Sequence, residues 1–167
     1  QPNAVDHARV SKVVEFNDIA ALEAALAQRD VACVLGGPLM TNYGMILPDP
    51  GFHAALRELT RRSGTLLVID ETHTLSNGPG GCTALQRLEP DLFVVGKAIG
   101  GGIPVGLYGA SEDVARRLWA LVPKVNPVEV RQSSHLGFGG TLAGSALQVA
   151  AVRAVLGQQI TVTAARG

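Results

Sequence analysis

At 167 residues, with 47% hydrophobic and 17% charged side chains, the chain is long enough for one cored domain and too apolar for disorder. Fourteen basic residues balance fourteen acidic ones, which removes the electrostatic case for nucleic acid or an anionic membrane surface as a partner. Cys33 and Cys82 stand far apart without a metal-type spacing, so no disulfide framework or metal site is expected, and a reducing, cytoplasmic setting is.

No apolar run approaches the roughly 20 residues needed to span a bilayer. The N-terminus has neither the basic nor the apolar region of a signal peptide. The chain opens without methionine and reads as a piece of something larger.

In chain order, residues 12–16 read as a short strand. Asn17 or Asp18 then caps a helix through residue 28, with Ile19, Leu22 and Leu26 on one face. Residues 31–35 form a second strand, stopped by Gly36-Gly37-Pro38. A loop rich in glycine and proline follows to Pro50, and a helix covers 52–62, ended by Gly64. Residues 65–69 are nearly all apolar, as a strand buried on both faces should be.

The Gly78-Pro79-Gly80-Gly81 loop leads to a short helical piece at 83–88, and 92–95 is the next buried strand. Residues 105–110 read as a further strand and 112–121 as a helix. Residues 122–139 read as loop, and an Ala-rich helix runs from Thr141 to about Leu156. Short apolar strands alternating with amphipathic helices predict an α/β fold with a mostly parallel sheet.

Ligands of such sheets bind beyond the C-terminal ends of the strands. Asp70-Glu71 follows one predicted strand and Gly96-Lys97 the next, so a carboxylate and an amine are aimed at one crevice. Each has an ordinary alternative: an aspartate after a strand is commonly a turn former, and a lysine a solvated surface group. Lys97, however, lies in Val-Val-Gly-Lys-Ala-Ile-Gly-Gly-Gly, with no partner charge and little side-chain bulk. Lys12 and Lys124, the other two lysines, sit in unremarkable polar contexts. Desolvation among apolar residues and glycines is expected to lower the Lys97 pKa and free its amine as a nucleophile.

A lysine and an aspartate at one sheet edge suit pyridoxal phosphate. The amine holds the aldehyde as an imine, the carboxylate keeps the ring nitrogen protonated, and backbone N–H groups at a helix start bind the phosphate. Gly139-Gly140-Thr141, opening the last predicted helix, is a candidate for the last of these roles.

Three stretches carry a family resemblance: Thr65-Leu-Leu-Val-Ile-Asp-Glu-Thr-His-Thr74, Pro90-Asp-Leu-Phe-Val-Val-Gly-Lys-Ala-Ile-Gly-Gly-Gly-Ile-Pro104 and Gly139-Gly-Thr-Leu-Ala-Gly144. With the loop Pro38-Leu-Met-Thr-Asn-Tyr-Gly44, they resemble the class III aminotransferases of fold type I, in the subgroup related to glutamate semialdehyde aminomutase.

The resemblance implies that residues 1–157 are part of a three-layer, cofactor-binding large domain with a mostly parallel sheet, with 158–167 unassigned, working in a homodimer. It implies pyridoxal 5'-phosphate as cofactor and amino-group transfer on a small amino acid or amine with a keto acid, through a Lys97 Schiff base. It further implies that Asp70 pairs with the pyridine nitrogen and that Thr72 packs on one ring face. His73 and Asn42 become candidates for the phenolic oxygen, with ordinary polar loop residues as the alternative. Thr141 would reach a phosphate, typically that of the neighbouring subunit, and Glu71 would support its loop.

There are departures. Gly37 stands before Pro38 where the family usually has glutamate, and Ser145 follows Gly144 where asparagine is common. Family members are more than twice this length, so an inactive remnant of the fold is the rival reading. Racemase and decarboxylase variants share the same core motifs.

Other motifs fail. Leu66-Leu-Val-Ile-Asp-Glu71 looks like a Walker B strand, but Lys97 has Asp91 where a P-loop needs glycine and Ala98 where it needs serine or threonine. A dinucleotide fingerprint at Gly137-Phe-Gly139 ends on Leu142. Asp70, Glu71 and His73 lack a further ligand spaced to complete a metal site.

Overall fold

A four-stranded sheet in the order β1-β2-β3-β4 organises the chain. The computed structural model describes residues 10–121 and 143–164, with side chains for 10–120 and 143–158. The strands are β1 (Cys33–Gly36), β2 (Leu66–Asp70), β3 (Leu92–Val95) and β4 (Leu107–Ala110). β1, β2 and β3 are parallel, while β4 runs antiparallel to β3. The parallel pairs require long crossovers. Helix α2 (Phe52–Ser63) fills the first, and a 3-10 turn (Leu75–Asn77) with the five-residue helix α3 (Gly81–Leu85) fills the second.

Helix α1 (Ile19–Leu26) starts at Asp18, whose carboxylate accepts from the Ala21 amide at 2.8 Å. Its Leu22 and Leu26 meet Phe52, Leu56 and Leu59 of α2 over Leu67 and Ile69 of β2, and these residues form the core. Burial on β2 alternates: Leu67 and Ile69 are buried, Leu66 and Val68 half-buried. The expectation of a strand buried on both faces is therefore corrected, because α1 and α2 cover one face only.

Helix α2 ends as its sequence dictates. Gly64 takes φ +76° and its amide reaches back to Arg61 and Thr60 carbonyls. A Cβ built there meets nothing within 4 Å, so the glycine answers a backbone demand alone.

Asp91, just before β3, ties several elements together. Its carboxylate accepts from both Arg57 terminal nitrogens, at 2.7 and 3.0 Å, and from the Leu67 amide at 2.8 Å. Its own backbone bonds Leu67 O and Ser111 N. One side chain thus fastens α2 and β2 to the start of β3.

Residues 12–16 form no strand. Asn17 turns the chain with φ +72°, and Phe16 tilts against Phe52 with ring centroids 4.8 Å apart. That contact draws the segment off the sheet edge, and Lys12 pairs instead with Asp30 at 2.9 Å. Helix α4 (Glu112–Leu121) has the expected bounds, whereas α5 (Ala146–Ala164) begins later and runs further than expected.

Two stability predictions follow from these contacts. Gly64→Ala places a Cβ in a left-handed conformation and should cost about 1–2 kcal/mol in urea denaturation. At Asp91, burial opposes the charge, but the bonds from Arg57 and Leu67 and the Arg57 charge outweigh it. The pKa lies below its ordinary value of 3.8. The carboxylate's contribution is therefore full above that value and is lost as pH falls below it. Asp91→Asn should cost about 2–3 kcal/mol near neutral pH and flatten this acid-side loss of stability.

Candidate active site

The parallel register of β2 and β3 sets the site. Asp70 stands opposite Val94, and the Glu71 amide donates to Val94 O at 2.9 Å. Three residues past that level the chain reaches Lys97, at the start of a 3-10 turn (Lys97–Gly100). Lys97 has φ +48°, a left-handed backbone that non-glycine residues adopt at a cost of about 1–3 kcal/mol and that concentrates at functional sites.

The glycines around Lys97 permit close packing. A Cβ on Gly100 would lie 2.6 Å from Val105 Cγ1, and one on Gly101 would lie 2.8 Å from Val155 Cγ2 of α5. Gln148 of α5 also donates to Pro104 O at 2.9 Å. The last helix and the chain entering β4 thus press directly on the turn that carries the lysine.

Asp70, Thr72, His73, Asn42 and Lys97 line one cavity of about 250 Å³. Its walls are the loop after β1, the segment after β2 and the lysine turn. Five of the six residues singled out from the sequence therefore meet in one place. The sixth, Thr141, lies outside the described residues.

Asp70 Oδ1 accepts from the Thr72 amide at 2.8 Å. Among the described residues, Asp70 Oδ2 and the Lys97 amine have no hydrogen-bond or ion-pair partner. Lys97 is exposed. The expected desolvation is corrected here: glycine neighbours contribute no side chains to cover the amine.

Glu71 points the other way and is 1% exposed. Its carboxylate accepts from Thr74 Oγ1 and from the Cys82 and Thr83 amides. A Cβ on Gly81 would sit 2.6 Å from Glu71 Oε2, so glycine is what lets the backbone approach the carboxylate. Glu71 fastens the start of α3 to the end of β2 and thereby steadies Thr72 and His73.

Sequence reading missed Thr41, Met40 and Tyr43, which also line the cavity. A bridge between Met40 and Ile46 folds their loop back on itself. Thr41 Oγ1 meets His73 Nδ1 at 2.5 Å. The two residues are 32 positions apart; the sequence singles out His73, whereas Thr41 figures there only as part of the loop at 38–44, with no role of its own.

Glu71→Ala should leave the buried Cys82 amide and the half-buried Thr83 amide without their carboxylate partner. We expect a loss of about 2–4 kcal/mol in denaturant unfolding, together with accelerated hydrogen exchange at the Cys82 and Thr83 amides.

Comparison with known proteins identifies the family and the fold. The model of the family "Aminotransferase class-III" matches residues 3–163. The glutamate-1-semialdehyde 2,1-aminomutase of Opitutus terrae is 40% identical over 155 residues, which is 91% of this chain and 34% of that protein. The crystal structure of a glutamate-1-semialdehyde aminomutase from Pseudomonas aeruginosa superposes with a TM-score of 0.86 at 55% identity, covering 95% of this chain and 35% of that one.

A lysine-to-alanine variant of a glutamate-1-semialdehyde aminomutase from the same organism, in complex with PMP, gives 0.83 at 56% identity, covering 92% and 34%. The chain spans about a third of the length of these proteins. Fold and sequence relationship agree: the chain belongs to the class-III aminotransferase family.

Proposed function

We propose that the chain is the part of a pyridoxal 5'-phosphate-dependent enzyme that carries Lys97 and Asp70, catalysing amino-group transfer as an aminotransferase or aminomutase. The observation that carries this reading is the shared cavity, where an amine and a carboxylate oxygen, both without a partner among the described residues, meet beyond two adjacent parallel strands. The relatives named as aminomutases, and the one in complex with PMP, support it.

The donor set fits the cofactor. Lys97 would attach it covalently, and Asp70, held by the Thr72 amide, would keep a proton on the ring nitrogen. Thr72 would pack against one ring face, and His73 or Asn42 would meet the phenolic oxygen. When bound, pyridoxal phosphate supplies an electron sink for a carbanion next to the substrate nitrogen. With an amino substrate bound, the Lys97 amine would be the group that moves the proton at the substrate's α-carbon. Its left-handed turn, braced by α5 at Gly101 and Pro104, fixes the backbone from which that amine extends.

The substrates would be a small amino acid or amine and a keto acid. A homodimer belongs to the same proposal, with Thr141 reaching the neighbouring subunit's phosphate. The exposed apolar loop residues Tyr43, Met45 and Leu47 support a partner. A cytoplasmic location is part of the same proposal. Among the described residues no helix is long and apolar enough to cross a membrane.

The test uses the protein produced from its full reading frame. With pyridoxal phosphate it should develop a visible band that borohydride bleaches, leaving a pyridoxyl group on the peptide containing Lys97. Lys97→Ala should abolish the label and lower turnover by at least about 10³-fold. A wild-type protein without band or label is the outcome required by the inactive-remnant reading.

A further inference from the structure

The Thr41–His73 contact has no part in the mechanism above. Thr41 belongs to the loop between β1 and α2, His73 to the segment after β2, and both line the cavity that holds Asp70 and Lys97. Thr41 Oγ1 lies 2.5 Å from His73 Nδ1. Neither side chain has another hydrogen-bond partner among the described residues. A neutral imidazole carries its proton on one nitrogen, and a hydroxyl beside Nδ1 can either donate to it or accept from it, each direction going with one tautomer.

We propose that Thr41 is a positioning residue: its hydroxyl donates to Nδ1 of His73 and so holds the imidazole with its proton on Nε2. With Nδ1 engaged, Nε2 is the only polar atom His73 has left to offer a molecule in the cavity, and it is offered as a donor. The cavity already holds an acceptor in the Asp70 carboxylate and a cation in Lys97. Among its described lining residues, Asn42 is the other neutral side-chain N–H donor for an electron-rich ligand oxygen. A protonated Nε2 supplies one without adding a charge.

The same bond ties the loop after β1 to the end of β2. That loop is anchored again at its far side, where Asn17 donates to Leu47 O at 3.1 Å and accepts from the Asp49 amide at 2.9 Å. His53, near the start of α2, also bonds Pro38 O at 2.8 Å. With both flanks fixed, Thr41 is presented to the imidazole in one place. The hydroxyl thus acts on the tautomer rather than on the ligand.

The identity of the acceptor rests on the function proposed above, where His73 faces the phenolic oxygen of the ring. The tautomer does not. The experiment is therefore read in two arms on the full-length protein, both with ¹⁵N-labelled histidine and with the His73 resonances assigned by His73→Gln.

In the cofactor-free arm, long-range ¹H–¹⁵N spectra should show His73 protonated at Nε2. Thr41→Val should shift the tautomer ratio by about three- to tenfold towards Nδ1–H, the ratio a net hydrogen bond sustains. Thr41→Ser should restore it. In the second arm, pyridoxal phosphate is added, and the visible band should move in Thr41→Val and return in Thr41→Ser.

Wild-type His73 protonated at Nδ1, or a tautomer ratio indifferent to Thr41→Val, overturns the inference. So does a Thr41→Ser variant that behaves like Thr41→Val. A normal tautomer response with no coloured complex in any variant sustains the role of Thr41 and sinks the cofactor reading instead.

Discussion

The site depends on one register, that of β2 against β3. Pairing Asp70 with Val94 puts the carboxylate at the end of one strand and lets Gly96-Lys97 emerge just beyond it on the next. A one-residue slip would turn every side chain of β2 to the opposite face, burying Asp70 among the helix-facing leucines and exposing Ile69. Asp91 guards against that slip. Its carboxylate and backbone both hold Leu67, while Arg57 locks the same carboxylate to α2.

Around this register the chain divides its acidic residues by role. Neighbours in sequence, Asp70 and Glu71 face different surroundings because side chains on extended backbone alternate. Glu71 is enclosed by donors and serves the loop, while Asp70 Oδ2 has no partner among the described residues. Lys97 is the counterpart: a left-handed backbone and glycine neighbours carry an amine that pairs with no side chain among the described residues.

Much of this was legible in the residues. The strand at Leu92–Val95 and the helix at Glu112–Leu121 emerge at the expected bounds, because apolar runs and amphipathic spacing there meet no competing contact. The strand expected at 12–16 fails because Phe16 stacks on Phe52, a contact between residues 36 positions apart that no local pattern encodes. The strand expected from 105 begins at Leu107, since Val105 is taken up in packing against Gly100. For the site, residues following strand ends were readable because topology alone sends them to one edge. Thr41 was not, because its meaning lies in a side chain 32 positions away. The exposure of Lys97 was misjudged for a simpler reason: glycines leave space beside an amine without supplying anything to cover it.

The central claim is that Asp70 and Lys97 act on the two ends of one ring. The most direct measurement is the ¹⁵N chemical shift of the pyridine nitrogen in full-length protein loaded with ring-labelled pyridoxal phosphate. The account predicts a protonated nitrogen in the wild type and loss of that proton in Asp70→Ala, with the cofactor still attached. A nitrogen whose protonation is the same with and without the Asp70 carboxylate would contradict it.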